Sequence, residues 1–206
     1  MKVLLINGSP DPDGCIARAL AEMEAVFAAE GIETKTVSVG NKNIRGCIAC
    51  GKCRTLGKCV FNDAVNDAAA EFETADGLVL GAPTYYAHAN GSLLAFADRL
   101  FHSTPFDKRF KVGAAVVSSR RAGSTSAFDD INKYFTIAGM PVASSSYWNE
   151  VHGYTAADVE RDEEGLQTMR NLARNMAFLM KSIALGKEAY GLPERERGAV
   201  TSFLDA

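Results

Sequence analysis

Apolar and polar positions along the chain follow two rhythms, one of period two and one of period three to four. Val3–Ile6 is a short apolar run ending in Asn7-Gly8-Ser9-Pro10, and glycine and proline punctuation continues to Gly14. Ile16, Leu20, Met23 and Phe27 then recur at helical spacing until Gly31 stops the pattern. Ile32–Val39 returns to the strand rhythm, with Thr34, Thr36 and Ser38 set against Val37 and Val39. Further helices are predicted over about Asp63–Phe72, Gly91–Phe101, Thr125–Ile137 and Ala156–Ile183. Further strands are predicted over Asp76–Leu80, Val112–Val117 and Pro141–Ser146. Five strands about 30–45 residues apart, with helices between them, imply a mainly parallel sheet covered on both faces.

Folds of this kind bind ligands beyond the carboxyl ends of their strands, where the strand order reverses. Three polar loops fall there: Asn7–Cys15, Gly81–Asn90 and Ser118–Thr125. The first sets small residues between a strand and a helix start. Ser9 and Pro10, Gly14, and the amides of Cys15 and Ile16 there suit a phosphate. The Gly-Lys-Ser/Thr ending of nucleotide triphosphatases is missing, and so is the Gly-x-Gly-x-x-Gly spacing of dinucleotide folds. A monophosphate such as that of FMN therefore fits better than ATP or NAD, the alternative being a ligand-free βα turn. Cys15 reads as a small helix-start residue, not a nucleophile.

The second loop, Pro83-Thr84-Tyr85-Tyr86, offers a rigid backbone, a hydroxyl and two aromatic rings, or else two tyrosines that merely cap the core. The third carries Ser118, Arg120, Arg121 and Gly123. Its guanidiniums suit flavin polar groups, a nicotinamide phosphate or an acidic substrate, with one of the two directed to solvent. His88 and His152 are candidate proton donors, each balanced by the reading of an exposed loop histidine. Tyr147 and Trp148 form either a lid or part of a subunit seam.

Between the second strand and the next helix, four cysteines crowd into thirteen residues as Cys47-x2-Cys50-x2-Cys53-x5-Cys59. Spacing by two suits a four-iron cluster held by soft thiolates. Tetrahedral zinc is a rival, although structural zinc sites usually group cysteines as separated pairs. Free or redox-active thiols are the other rival.

These stretches resemble the flavodoxin-like NADPH-dependent FMN reductase family, and in particular its iron–sulfur flavoprotein branch. The matching motifs are Gly8-Ser9-Pro10 with Gly14, Gly81–Tyr86, and the cysteine quartet. The resemblance implies an α/β, flavodoxin-like three-layer sandwich with a five-stranded parallel sheet in the order 2-1-3-4-5. It implies one FMN-binding domain over 1–185 with the cysteine loop 43–60 inserted, while the charged, less periodic tail over 186–206 reads either as a segment packing on a partner subunit or as a loosely attached terminus. It implies FMN along Pro83–Tyr86, a [4Fe-4S] cluster on the four cysteines, and NAD(P)H as co-substrate. A homodimer or homotetramer is implied as well, with a small electron acceptor or a ferredoxin-like protein as partner.

Composition narrows the remaining classes. With 22 basic and 25 acidic residues the formal charge is −3, and no basic stripe is present, which argues against a nucleic-acid surface. No apolar run reaches the roughly 18 residues that a membrane span needs, and the N-terminal stretch is too short for a signal peptide. A cytoplasmic protein is expected, and five cysteines exclude a complete disulfide framework. No Ser-His-Asp set can be assembled, so the expectation is an FMN oxidoreductase. An electron carrier or redox sensor is the alternative.

Overall fold

Alternate residues of the first strand face opposite helical layers, and both sets are fully buried. Val3 and Leu5 join one core cluster, Leu4 and Ile6 the other. A strand with no polar face needs cover on both sides, which fixes the three-layer architecture. The computed structural model describes residues 1–196, 198, 199 and 201.

The strands are β1 (Lys2–Asn7), β2 (Glu33–Ser38), β3 (Gly77–Tyr85), β4 (His88–Ala89), β5 (Val112–Ser119) and β6 (Glu150–His152). The helices are α1 (Cys15–Ala29), α2 (Cys53–Leu56), α3 (Ala64–Thr74), α4 (Gly91–Ser103), α5 (Ser124–Ile137), α6 (Ala156–Val159) and α7 (Glu163–Tyr190). The sheet runs β2-β1-β3-β5-β6 with every neighbour parallel, and β4 pairs antiparallel with the end of β3. With that hairpin strand set aside, this is the flavodoxin-like order 2-1-3-4-5.

One core lies under α1, α6 and α7, where Ile16, Met23 and Phe27 meet Met169, Leu172 and Met176. The other lies under α3, α4 and α5, where Phe72, Phe96, Leu100 and Phe135 pack. Glu22 of α1 accepts hydrogen bonds from Arg18 and from Arg170 of α7, so an ion-pair bridge accompanies the apolar seam. No helix among the described residues is long and apolar enough to cross a membrane.

Four expectations are corrected. Pro141–Ser146 does not form the fifth strand. Val142 bridges to Gly113, but Ser145 Oγ then bonds the Tyr147 carbonyl and Asn149 Oδ1, and the chain rejoins β5 only at β6. Serine hydroxyls compete locally for the groups a ladder would use. The helix expected over Ala156–Ile183 is broken at 160–162. A capping box of Thr155 and Asp158 starts α6, and Asp162 restarts the helix by accepting from the Gly165 amide at 2.9 Å. Strand β3 runs beyond Leu80 through Tyr85, so Pro83–Tyr85 belong to a strand and not to a loop. Helix α7 continues to Tyr190, into the expected tail, whose Val200, Phe203 and Leu204 lie outside the described residues.

Candidate functional site

Side chains hold the loop after β1 in shape. Buried Asn7 accepts from the Ser9 amide at 2.9 Å and donates from Nδ2 to the Pro12 carbonyl at 3.3 Å. Ser9 Oγ in turn accepts from the Asp11 amide at 3.2 Å. The loop delivers the chain to α1 at Gly14, with no side chain capping the helix and no acidic residue in its first turn. The first amides of such a helix lack partners within it, and the dipole adds partial positive charge. Ser9 is buried, Pro10 exposed and Cys15 half-buried, while the Ile16 side chain is fully buried and leaves only its amide for a ligand. Burial pushes the Cys15 thiol above its ordinary pKa, which fits a spectator at the helix start.

The β3–β4 hairpin forms the second wall. Tyr85 pairs with His88 across a two-residue turn, and Tyr86 adopts a positive φ of 59° with its ring fully in solvent. Asn90, at the start of α4, donates to the Gly8 carbonyl at 2.7 Å and so ties this wall to the first loop. The third wall follows β5. Gly123 has a φ of 88°, and a Cβ there would stand 2.6 Å from the Tyr86 carbonyl, so the two walls meet at a residue that must lack a side chain. Ser118 and Ser119 are buried, whereas Arg120 and Arg121 are both exposed.

Around this mouth, Thr84 Oγ1, Asn90 Oδ1 and Ser119 Oγ are buried without a protein partner. Orphaned buried polar atoms are costly, and here they come from the end of β3, the start of α4 and the end of β5. A polar ligand seated there would satisfy them, so these residues fit a flavin with a phosphate at α1.

The two histidines are strand partners of wall residues, His88 of Tyr85 and His152 of Ser119, and each side chain lies beside a carboxylate. His88 Nδ1 lies 2.9 Å from Asp130 Oδ2, in a groove between α4 and α5 shared with Asp98 and Tyr134. Burial works against ionisation of Asp130, but His88 and Lys133 outweigh it and lower its pKa. His152 Nδ1 sits 3.9 Å from Asp162, which also accepts the His152 amide at 2.6 Å. Tyr147 and Trp148 contact each other edge-on at 4.7 Å just before the amino end of β6. β6 pairs with Val117–Ser119 at the carboxyl end of β5, so the pair lies at the sheet edge close to the mouth.

The four cysteines share one small cavity, lined also by Phe61, Arg99, His102 and Ser103. All are free thiols; Cys47 and Cys50 are exposed, Cys53 and Cys59 half-buried. Positive φ angles at Ala49, Gly51 and Gly57 turn the loop around that cavity. Among the described residues no three such side chains converge at single-ion distance. Cys59 is the most tightly held, because Asn66 accepts from its amide at 3.1 Å and donates to its carbonyl at 3.0 Å. Asn90 opens α4 beside the mouth, and Arg99 and His102 lie nine and twelve residues further along. At about 1.5 Å per residue, the cysteine nest is roughly 14–18 Å down the helix from the mouth.

Arg99 is the functional candidate that sequence reasoning passes over. It occupies the apolar stripe of α4 beside Phe96 and Leu100, with a side chain only 1% exposed. Burial opposes its charge, but bonds to Asp63 and Cys59 more than offset that and raise its pKa. A charged residue at a core position of a helical pattern is the signal that would have found it.

The model of the NADPH-dependent FMN reductase family matches residues 1–155. An iron–sulfur flavoprotein of Methanocaldococcus jannaschii is 34% identical over 194 residues, covering 89% of this chain and 99% of that protein. An iron–sulfur flavoprotein of Methanosarcina thermophila is 30% identical over 192 residues, covering 91% and 100%. Among solved structures, a flavodoxin from the domain Archaea aligns with a TM-score of 0.60 at 16% identity, over 88% of this chain and 99% of that one. A flavone reductase aligns with a TM-score of 0.69 at 19% identity, over 89% and 64%. The structures speak for the fold, and the sequence matches speak for the lineage. This chain belongs to the NADPH-dependent FMN reductase family of FMN-dependent redox proteins, in its iron–sulfur flavoprotein branch.

Proposed function

We propose that the mouth holds FMN and that the protein passes electrons from NAD(P)H or a reduced carrier to a small acceptor such as a quinone or another flavin. The carrying observation is the uncapped start of α1 facing the same opening as the orphaned oxygens of Thr84, Asn90 and Ser119. FMN, when bound, supplies the hydride and electron chemistry, and the protein supplies position and electrostatics. Ser9, Pro10, Gly14 and the Cys15 and Ile16 amides would receive the phosphate. Pro83, Thr84, Tyr85 and Tyr86 would lie along the ring, with Ser118, Arg120 and Gly123 closing the third side. Exposed Arg120 would meet the phosphate of an incoming nicotinamide nucleotide. His88, bonded to Asp130 in the α4–α5 groove, is a weak choice as proton donor.

Cys47, Cys50, Cys53 and Cys59 would ligate a [4Fe-4S] cluster, which can store single electrons. Four thiols around one cavity, spaced by two residues rather than grouped as two separated pairs, favour a polynuclear centre over zinc. The separation along α4 favours electron exchange with the flavin of a neighbouring subunit over the flavin of the same chain. Exposed Phe178 and Leu185, seven residues apart on the outer face of α7, support a homodimer or homotetramer. The carrier reading draws support from the fully exposed ring of Tyr86, which nothing among the described residues covers.

Anaerobic purification tests both centres at once. One FMN with four iron and four sulfide per chain is the expected composition, and NAD(P)H should bleach the flavin within catalytic times. Protein that takes up no FMN sinks the main reading. Flavin that exchanges electrons only with ferredoxin-like proteins replaces the enzyme by the carrier.

A further inference from the structure

We propose that Arg99 is a positioning residue that aims Cys59 at the cluster and raises the cluster's reduction potential, with Asp63 as the opposing countercharge. The inference rests on the cluster reading of the cysteine nest.

The guanidinium of Arg99 is among the largest fully buried groups in the chain. Such a group is tolerated only when its donors are met, and here all five N–H groups find acceptors. Nη1 donates to Asp63 Oδ2 at 2.7 Å and to the Arg45 carbonyl at 3.2 Å. Nη2 donates to Asp63 Oδ1 at 2.9 Å, and its second hydrogen goes to Cys59 Sγ at 3.2 Å. Nε donates to the same sulfur at 3.3 Å. The Phe61 ring stacks beneath, 5.0 Å from the guanidinium carbon.

Two parallel charged donors on one sulfur is the fork that arginine ordinarily presents to a carboxylate. A neutral thiol is a weak acceptor and gives little in return for them. A metal-bound thiolate is anionic and matches the fork. No other cysteine of the quartet is treated this way. Cys47 Sγ accepts one backbone amide at 3.4 Å, and Cys53 Sγ approaches the His102 carbonyl at 4.0 Å. Asn66 meanwhile fixes the Cys59 backbone, so both the main chain and the sulfur of that residue are held.

Hydrogen bonds to the sulfurs and nearby charge are what set the potential of an iron–sulfur centre. One added electron makes the cluster one charge more negative, and the Arg99 fork stabilises that form. Asp63 acts in the opposite direction, while holding the guanidinium in register. A merely structural role is the alternative, in which the Arg99–Asp63 pair only staples α4 to the start of α3.

Redox titration of the anaerobic holoprotein separates the two roles. The cluster is followed by electron paramagnetic resonance, and bound FMN, followed by absorption, serves as the internal reference. Arg99→Gln should shift the reduced-to-oxidised ratio at a given potential about tenfold toward oxidised, a fall of about 59 mV for a one-electron couple. Asp63→Asn should shift it the other way, and the flavin midpoint should stay in place in both. Unchanged cluster midpoints, or shifts of the same sign, overturn the inference and leave the cluster reading standing. If Arg99→Gln does not retain iron, Asp63→Asn decides by itself: a raised midpoint supports the role, and an unchanged or lowered one removes it. Wild-type protein devoid of iron and sulfide overturns the cluster reading and this inference together.

Discussion

At the residue scale, Gly123 shows how closely the mouth is built. A side chain there meets both an unfavourable φ of 88° and the Tyr86 carbonyl at 2.6 Å. Gly123→Ala should cost about 2 kcal/mol in urea unfolding and weaken FMN binding in a fluorescence titration. Gly46→Ala, with an open surrounding and no positive φ, is the control and should change neither. Wild-type affinity in Gly123→Ala would show that the loop relaxes without disturbing the site. The loop at Ser9 and Gly14 was legible in the sequence because small residues and proline announce themselves between a strand and a helix, whereas Pro83–Tyr85 read as a loop and instead extend β3. Asn90 and Arg99 were not, since their roles depend on partners 82 and 36–54 residues away, which no local pattern reveals.

At the scale of elements, the seam between α1 and α7 combines apolar packing with the Glu22 bridge. Burial works against ionisation of Glu22, yet Arg170 and Arg18 outweigh it and hold its pKa below the usual carboxylate range. A carboxylate with a depressed folded pKa stabilises fully above its unfolded value of about 4.3, and loses that contribution as pH falls through the folded value. The thermal midpoint should therefore be insensitive to this group from pH 7 to about 5 and decline below about 4. Glu22→Gln should lower stability at neutral pH and shrink the difference from wild type in acid. An equal gap at both pH values would contradict the bridge. The long periodic elements α1, α4 and α5 were readable because their stripes are continuous over several turns. The interrupted ones were not. A serine run divides the edge strand before β6, and Asp162 resets the helix between α6 and α7, so in both places side-chain hydrogen bonding overrides periodicity.

At the scale of the whole molecule, three loops from separate strand ends frame one opening, and filling it should bind them together. Removal of FMN should lower the melting temperature by several degrees. Re-addition at a hundredfold excess over Kd should restore about 2.7 kcal/mol, or about 5–10 °C for a chain of this size. A melting curve indifferent to FMN would place the flavin elsewhere. The layer order was open to inference because alternating strands and helices admit few right-handed arrangements, whereas nothing in the spacing of the cysteines told where their loop would lie. That loop leaves the sheet after β2, wraps its own cavity on the flank of α4 and returns at α3, while the two cores are built by other segments. Its placement makes it an exchangeable cassette. Exchange has a condition, because a chain without the loop would strip buried Arg99 of the Arg45 carbonyl and the Cys59 sulfur, and so would need a different residue on that face of α4.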